Sequence, residues 1–276
     1  YFTLPPSSHH YRDWKAGGHG VVDLHRSLVI SCDTYYYGLA NDLGADAISQ
    51  FMDQFSFGKK TGIDVDGEVN GINPSPEWKR KRYKQKWYGG DTISIGIGQG
   101  YNLATPLQLA HGTAMLANNG VAMRPRLVKA IQDSSNGKIK TLSGEEIRRG
   151  NFSMEHLDLV KQAMVAVTKP GGTAAVAGSG ATYNFAGKTG TAQVIGMKQG
   201  EKYVEANVEE RFRDHALFVA FAPAELPRIA LAILVENGGH GGSAAAPIAR
   251  QVFDYILLGK IPNTPAPALK EEAEDD

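Results

Sequence analysis

The chain has 276 residues, of which 42% are hydrophobic and 21% are charged. This length is typical of one or two domains with a buried core. The 29 Lys and Arg residues balance the 29 Asp and Glu residues, which argues against a basic nucleic-acid-binding protein. A single cysteine, Cys32, excludes an intrachain disulfide, and no apolar run reaches the roughly 18 residues of a membrane-spanning helix.

Helices are predicted in the first half of the chain. Apolar residues recur at steps of three and four from residue 27 to residue 57, where Gly44 is expected to separate two helices. Residues 58–104 are rich in Gly, Asp, Asn and Pro. They contain the basic run 79–86, for which we expect a solvent-exposed loop.

Two further helices have recognisable ends. Thr105 is the expected N-cap of the first, because Pro106 suits the first helical position and Gln108 completes a capping box. The second is expected over residues 157–167, where Pro-Gly-Gly at 170–172 stops the helical pattern.

The last third of the chain predicts a sheet. Residues 216–222 and 229–235 are short apolar runs separated by prolines, which indicates a buried antiparallel hairpin. Ser243 is expected to cap a helix that Gly259 ends. The Pro-rich and acidic residues 261–276 are predicted to be a disordered tail. The order of elements therefore predicts an α+β fold, with a sheet following a helical region.

The string Lys-Thr-Gly-Thr at 188–191 lies just before the predicted hairpin. A lysine and hydroxyls on a strand edge can hold a carboxylate, and small residues let a substrate backbone approach as an added strand. A second Lys-Thr-Gly at 60–62 lies in a Gly- and Asp-rich segment without a strand pattern after it. We therefore interpret Lys60 as a solvent-exposed loop residue.

The string Ser31-Cys32-Asp33 lies at a predicted helix start and has two interpretations. Ser or Asp at that position can cap the helix without any catalytic role. Alternatively, the hydroxyl and the acid could flank a reactive serine and relay a proton to a leaving group. Spacing alone does not decide between the two interpretations.

Together, these strings resemble two of the three motifs of penicillin-binding proteins and serine β-lactamases. The strings Gly-Ile-Gly-Gln-Gly-Tyr at 96–101 and Thr-Pro-Leu-Gln at 105–108 are similar to those of class B penicillin-binding transpeptidases. Further strings resemble the cell-elongation type of that class, and they lie at residues 11–15, 89–93 and 211–215. The resemblance extends from about Tyr11 to about Gly259.

The resemblance implies a transpeptidase fold, an antiparallel sheet flanked by helices, over residues 1–260. The chain starts at Tyr1 rather than Met, and we expect a fragment that is incomplete at its N-terminus. The third family motif, Ser-x-x-Lys, is expected before residue 31 and hence outside the chain. Such strings begin at Ser56 and Ser135, but both lie in Gly-containing turns, whereas the nucleophile needs a helix start.

The resemblance also implies a function. Such enzymes are periplasmic peptidoglycan D,D-transpeptidases that are anchored in the inner membrane by a segment absent here. They form a serine acyl-enzyme with stem peptides ending in D-Ala-D-Ala, are acylated by β-lactams, and work with a membrane-embedded glycosyltransferase of the elongation complex. Neither nucleic acid nor an organic cofactor is expected. The alternatives are a D,D-carboxypeptidase or β-lactamase-like hydrolase, and a non-catalytic binding module of the same fold.

Individual roles follow from the same resemblance. Ser31 would relay protons, Asp33 would orient the site, and Lys188 would support the relay. Most of the superfamily carries Asn where this chain has Asp33, so its charge is an additional feature. Lys188, together with Thr189 and Thr191, would also hold the terminal carboxylate of the substrate, and Gly190 would be a further substrate-binding residue. The backbone N–H of Thr191 would form half of the oxyanion hole.

The last candidate site is a metal site at Asp13, His19 and Cys32. These residue types are ligands that zinc accepts, although their spacing is equally typical of a surface Asp, a loop His and a small buried Cys. Relatives of the elongation type can hold zinc beside the active site with such residues. The resemblance therefore predicts zinc, with a fourth ligand from outside the chain.

Overall fold

The computed structural model describes residues 1–196 and 208–261 of the chain. Within these ranges the helices are α1 (Leu24–Val29), α2 (Asp33–Gln54), α3 (Pro76–Tyr83), α4 (Gly89–Gly96), α5 (Pro106–Ala117), α6 (Met154–Val167), α7 (Ala175–Gly178) and α8 (Ala245–Leu258). The strands are β1 (Phe2–Thr3), β2 (His10–Tyr11), β3 (Val121–Met123), β4 (Ala130–Gln132), β5 (Ile139–Thr141), β6 (Glu146–Arg149), β7 (Ala186–Ala192), β8 (His215–Ala222) and β9 (Ile229–Val235). The predicted tail falls outside the described residues from residue 262 onward.

Helix α2 carries one end of the candidate site, and it changes direction at Gly44, whose φ is +77°. Glycine adopts this left-handed backbone without the steric cost that a Cβ brings, so the predicted separation is confirmed. Helix α4 packs closely against α2, because a Cβ at Gly96 would collide with Ala40. None of the helices in the described ranges combines the length and apolar character needed to cross a bilayer.

The prediction of an exposed loop over the basic run was wrong in part. Residues 79–83 belong to α3, which begins after Ser75, whose hydroxyl accepts a hydrogen bond from the backbone N–H of Trp78. Lys79 is only 2% exposed, and its Nζ lies 2.6 Å from a carboxylate oxygen of Asp91. The remaining cations of the run are exposed to solvent. Burial of Lys79 depends on Asp91, a partner twelve residues away, which local composition does not reveal.

The predicted capping box at the start of α5 is confirmed. The hydroxyl of Thr105 accepts a hydrogen bond from the backbone N–H of Gln108, and the Gln108 side chain accepts one from the backbone N–H of Thr105. Helix α5 ends at Asn118, as the sequence predicts. Helix α6 covers the predicted segment 157–167 and begins three residues before it.

Strands β7, β8 and β9 form an antiparallel sheet in that order, which confirms the predicted hairpin. Side chains alternate between its two faces. Phe218 packs against α7 and α8 on one face, whereas Phe221 packs against α5 and α6 on the other. Both phenylalanines are fully buried. Strand β7 therefore lies at an edge of a sheet whose faces are both covered by helices.

One end of α8 differs from the prediction. Ala244, not Ser243, occupies the N-cap position, and the Ser243 hydroxyl donates a hydrogen bond to the carbonyl oxygen of His240. The other end is as predicted, because Gly259 ends the helix with a φ of +67°. Three small two-stranded sheets, formed by β1–β2, β3–β6 and β4–β5, complete the described strands.

Candidate active site

The candidate site forms where β7 meets the turn between α1 and α2. The Lys188 ammonium group donates hydrogen bonds to Ser31 Oγ at 2.8 Å and to the carbonyl oxygen of Thr189 at 2.9 Å. Ser31 and Lys188 are 157 residues apart in the chain. The fold therefore brings together the two strings that the sequence analysis could relate only through a family resemblance.

The turn that carries Ser31 has an unusual backbone conformation. Cys32 is the N-cap of α2 without a side-chain capping bond, and Ser31 adopts a φ of +56°. A non-glycine residue in this left-handed region carries a steric cost of about 1–2 kcal/mol. Neither Ser31 nor Asp33 caps the helix, because the serine hydroxyl accepts from Lys188 and the Asp33 carboxylate accepts from the backbone N–H of Trp14.

Trp14 holds this turn and was not predicted as a site residue. Its indole N–H lies 2.8 Å from the carbonyl oxygen of Ser31 and 3.2 Å from that of Ile30. Its backbone N–H donates to Asp33 Oδ2 at 3.1 Å. The sequence offers no local signal for these bonds, because they join segments 16 to 19 residues apart.

Burial and neighbouring charges shift the pKa values of Asp33 and Lys188. Burial, together with the nearby carboxylate of Asp13, raises the pKa of Asp33 to about 6, although the backbone N–H of Trp14 and the charge of Lys188 oppose the shift. Burial lowers the pKa of Lys188 to about 8, against the attraction of Asp33. A lysine whose pKa lies this close to neutrality can both hold and release a proton under ordinary conditions.

Strand β7 presents an edge that faces away from β8, which we call the open edge. The carbonyl oxygen of Thr189 accepts from Lys188, and that of Thr191 accepts from the Gln99 side chain at 2.5 Å. In an antiparallel strand, the N–H and C=O of one residue point to the same side. The backbone N–H groups of Thr189 and Thr191 therefore point to the open edge, where an extended peptide could add as a strand.

The surroundings of Thr189 and Gly190 come from segments that the sequence analysis did not assign to the site. The hydroxyl of Thr189 lies 2.8 Å from that of Thr173. A Cβ at Gly241 would lie 2.7 Å from the carbonyl oxygen of Gly190. The loop between β9 and α8 thus packs backbone against backbone on β7, and residue 241 has no room for a side chain.

Gln99 reaches the site from the loop between α4 and α5. Its side-chain N–H bond to Thr191 spans 92 residues of sequence. Two residues further along the chain, the ring of Tyr101 packs against the ring of Trp78, with 5.3 Å between their centroids. The sequence analysis used the string around Gln99 only for the family resemblance, and it gave this residue no role.

The remaining motif copies lie elsewhere, as predicted. Lys60 is exposed in a loop, and the hydroxyl of the following Thr61 donates to Glu68 at 2.6 Å. Ser56 follows the last residues of α2 with a φ of +65°. Ser135 lies in the turn between β4 and β5, where its hydroxyl donates to Asp133 at 2.6 Å. Neither serine begins a helix.

The three predicted metal ligands lie together beside the Ser31 turn. Asp13 is 3.2 Å from His19 Nδ1 through one carboxylate oxygen and 3.3 Å from Cys32 Sγ through the other. The candidate ligand atoms all lie within 4.8 Å of one another. His19 Nδ1 is buried without a hydrogen-bond partner among the described residues. Nitrogen, carboxylate oxygen and thiolate sulfur are the donor types that zinc accepts, so the chemistry of this donor set suits a zinc ion.

Known proteins are similar to this chain over most of its length. The family model described as penicillin binding protein transpeptidase domain matches residues 2–254. The peptidoglycan D,D-transpeptidase MrdA of Acinetobacter baumannii is 47% identical over 273 residues, which cover 97% of this chain and 39% of that protein. The chain therefore spans about two fifths of this relative.

Solved structures of similar proteins share the architecture. A crystal structure of Pseudomonas aeruginosa PBP2 in complex with WCK 5153 has a TM-score of 0.79 at 42% identity, covering 95% of this chain and 54% of that chain. A complex of Helicobacter pylori PBP2 with MreC has a TM-score of 0.77 at 32% identity, covering 93% and 44%. The expected α+β transpeptidase fold is confirmed. With both family strings meeting at one strand edge and the family model matching residues 2–254, the chain belongs to the penicillin-binding protein transpeptidase domain family.

Proposed function

We propose that this chain is most of the transpeptidase domain of a longer peptidoglycan D,D-transpeptidase that acts in cell-wall elongation. The observation that carries the proposal is the 2.8 Å contact between Lys188 and Ser31 beside the open edge of β7. This arrangement combines a proton-carrying pair with a strand edge that can bind an extended peptide. The MrdA relative, which is named a peptidoglycan D,D-transpeptidase, supports the same assignment.

In this proposal, an acylating serine from a Ser-x-x-Lys motif outside the 276 residues attacks the carbonyl carbon between the two D-Ala residues of a stem peptide. As the new C–O bond forms the ester, the serine's proton passes to the lysine of its own motif; the C–N bond breaks, and D-Ala leaves with a proton that Ser31 gives to its amine and Lys188 replaces. An amine of a neighbouring stem then attacks the ester and forms an amide, and its proton returns through Ser31 to Lys188. The C–O bond of the ester breaks, and the serine takes back its proton from the lysine of its motif. Asp33 contributes a charge that keeps Lys188 partly protonated despite burial.

The open edge of β7 binds the substrate backbone in this mechanism. The Lys188 ammonium group, with the hydroxyls of Thr189 and Thr191, holds the terminal carboxylate, and Gly190 leaves room for the peptide. The backbone N–H of Thr191 stabilises the developing oxyanion, and Gln99 fixes this residue by binding its carbonyl oxygen. A β-lactam binds in the same place as a mimic of the peptide.

The cellular setting belongs to the proposal as well. The domain faces the periplasm in a protein anchored in the inner membrane. It acts with a membrane-embedded glycosyltransferase that polymerises the strands it cross-links. A complex of PBP2 with MreC is known for the Helicobacter pylori relative, and this similarity supports a place in an elongation complex.

The proposal also includes a zinc ion beside the Ser31 turn. Asp13, His19 and Cys32 would hold the ion, because their donor atoms converge and the buried His19 Nδ1 makes no hydrogen bond in the described residues beyond its 3.2 Å ionic contact with Asp13. A bound zinc ion supplies structural cross-linking. The three residues themselves join the segment before α1 to the turn that carries Ser31.

Labelled penicillin tests the proposed function in the full-length protein. Lys188→Ala is expected to raise the activation free energy of acylation by about 2–4 kcal/mol, since it removes a charged group at the reacting centre. Lys60→Ala is the matched control, because it changes the other Lys-Thr-Gly, and it is expected to leave acylation unchanged. Equal losses in both variants, or no covalent adduct with the unmodified protein, would contradict the proposal.

A second assay separates transfer from hydrolysis. The protein is incubated with a stem peptide ending in D-Ala-D-Ala and an excess of a peptide amine, and the products are identified by mass spectrometry. A transpeptidase forms the cross-linked peptide and releases D-Ala. Release of D-Ala without cross-linked product would favour the carboxypeptidase alternative, and binding without D-Ala release would favour the non-catalytic module.

Metal analysis tests the zinc site. The purified full-length protein is expected to contain close to one equivalent of zinc, and Cys32→Ser is expected to lose most of it because the thiolate is one of the ligands. Chelation is expected to lower the melting temperature, since structural zinc contributes folding free energy. Less than about a tenth of an equivalent in the unmodified protein, unchanged by Cys32→Ser, would remove zinc from the proposal.

A further inference from the structure

The basic run leaves a group of exposed cations and tyrosines at the end of α3 and in the segment that follows it. These residues, which we call the basic–aromatic face, are Arg80, Arg82, Tyr83, Lys84, Lys86 and Tyr88. The two tyrosines are 47% and 53% exposed. Lys79 pairs with Asp91 and Lys81 pairs with Glu77, but the four cations of the face form no ion pair with any residue in the described ranges.

Folding requirements account for only part of this surface. Cations in the last turn of a helix interact favourably with its dipole, and this explains Arg80 and Arg82 in α3. Lys84 and Lys86 follow the helix and gain little from it. The chain as a whole has equal numbers of basic and acidic residues, so the cluster is a local excess of positive charge.

A chain of contacts links Tyr83 of the basic–aromatic face to the open edge of β7. The ring of Tyr83 lies 5.7 Å from that of Tyr101. Tyr101 is two residues after Gln99, a distance of at most about 7 Å along the chain. Gln99 in turn contacts Thr191 on β7. A stem pentapeptide spans about 17 Å when extended, which is comparable to the length of this path.

The chemistry of the face fits an anionic peptide that carries sugar. Arginine binds carboxylates in two-pronged geometry, and lysine adds point charges. Exposed tyrosines offer flat apolar surfaces with a hydroxyl, a combination enriched at binding sites. Peptidoglycan stems combine free side-chain or backbone carboxylates with amino-sugar rings.

We propose that the basic–aromatic face is a docking surface for the carboxylate-bearing stem peptides of a peptidoglycan strand, next to the site where one stem is acylated. This inference rests on the proposed function. It adds to that function that cations outside the Lys-Thr-Gly strand bind the free carboxylates of the stem peptide.

The test measures binding of soluble, uncross-linked glycan strands to the full-length protein at several salt concentrations. One set of strands has free stem carboxylates, and a second has the same carboxylates amidated. Arg80→Glu, Arg82→Glu and Lys86→Glu are combined in one variant. The matched control combines Lys129→Glu, Lys138→Glu and Lys140→Glu, three exposed lysines on and next to the β4–β5 hairpin that also lack ion pairs in the described ranges and give the same change in charge.

The unmodified protein is expected to bind free strands at least tenfold more tightly than amidated strands, and more weakly as salt increases. The face variant is expected to lose this preference, whereas the control keeps it. A neutral set, Arg80→Gln, Arg82→Gln and Lys86→Gln, is expected to give an intermediate loss and provides the test if the charge-reversed variant does not fold.

Two outcomes would overturn the inference: equal binding of free and amidated strands, or equal losses in the face and control variants. Neither of these outcomes affects the result expected for labelling with penicillin. Failure of the wild-type protein to react with labelled penicillin would instead count against the proposed function.

Discussion

Replacing Trp14 by phenylalanine tests whether the turn that carries Ser31 must be held in place. The substitution removes the indole N–H, which lies 2.8 Å from the Ser31 carbonyl oxygen, but it keeps the backbone N–H that donates to Asp33. It also keeps an aromatic ring beside His19, whose ring centroid is 5.4 Å away. The change therefore isolates one donor.

The size of the expected rate loss follows from the lost hydrogen bond and from the strained Ser31 conformation that this bond holds in place. One such hydrogen bond contributes about 1 kcal/mol net, and the left-handed φ of Ser31 stores about 1–2 kcal/mol of strain that the turn can release once the bond is lost. If about 1–2 kcal/mol of this energy is lost from the stabilisation of the acylation transition state, acylation slows by roughly 5- to 30-fold. We expect a loss of global stability of only about 1 kcal/mol.

The assay is the second-order rate of acylation by a fluorescent penicillin, measured beside urea unfolding in the full-length protein. Trp87→Phe is the matched control, because the Trp87 indole N–H donates to Thr92 at 2.8 Å, away from the Ser31 turn. It is expected to cost similar stability with little change in rate. If both variants slow acylation equally, or if Trp14→Phe reacts at the unmodified rate, the argument for Trp14 is refuted.

Three further predictions address β7. Gln99→Ala removes the bond to the Thr191 carbonyl oxygen and is expected to slow acylation about 5- to 10-fold, from about 1 kcal/mol of lost positioning; an unchanged rate would count against it. Lys188 is expected to titrate near its shifted pKa of about 8 in NMR spectra of lysine-labelled protein, and Asp33→Asn is expected to lower that pKa further because the carboxylate's attraction is lost. Since the pKa of an unfolded lysine is about 10.4, this residue makes stability increase with pH between about 8 and 10.4; an ordinary Lys188 pKa would contradict the described burial. Gly187→Ala places a Cβ against a buried ring of β8 and is expected to cost about 1–3 kcal/mol in urea unfolding, whereas an unchanged midpoint would show that the sheet relaxes.

Features encoded locally could be predicted from the sequence. The capping box at Thr105, the break at Gly44 and the glycine end of α8 each depend on a few neighbouring residues. The terminal hairpin was predictable because two apolar runs are separated by prolines. The Lys-Thr-Gly copy at 188–191 could be distinguished from the copy at 60–62 because only the former precedes such a hairpin.

Features that depend on distant partners could not be predicted. Lys79 looks like any other member of a basic run until Asp91 and the rings of Tyr88 and Tyr101 surround it. Ser243 looks like a helix cap, yet its hydroxyl donates to His240 instead. Trp14 and the loop glutamine of the site act across tertiary contacts, so neither propensity nor periodicity identifies them.

The open edge of β7 has a consequence for how the protein behaves in concentrated solution. Although the carbonyl oxygens of Thr189 and Thr191 accept side-chain hydrogen bonds, the N–H groups of these residues point outward. Outward-pointing N–H groups of an edge strand can pair with another extended chain, which is a common route to edge-to-edge aggregation. Two residues of β7 limit this risk, because Gly187 and Gly190 disfavour a stable extra strand, and the charge of Lys188 must be matched by an incoming anion. The sequence that makes the edge accessible to a short anionic peptide therefore also protects it from the neutral, apolar strands of other partly unfolded chains.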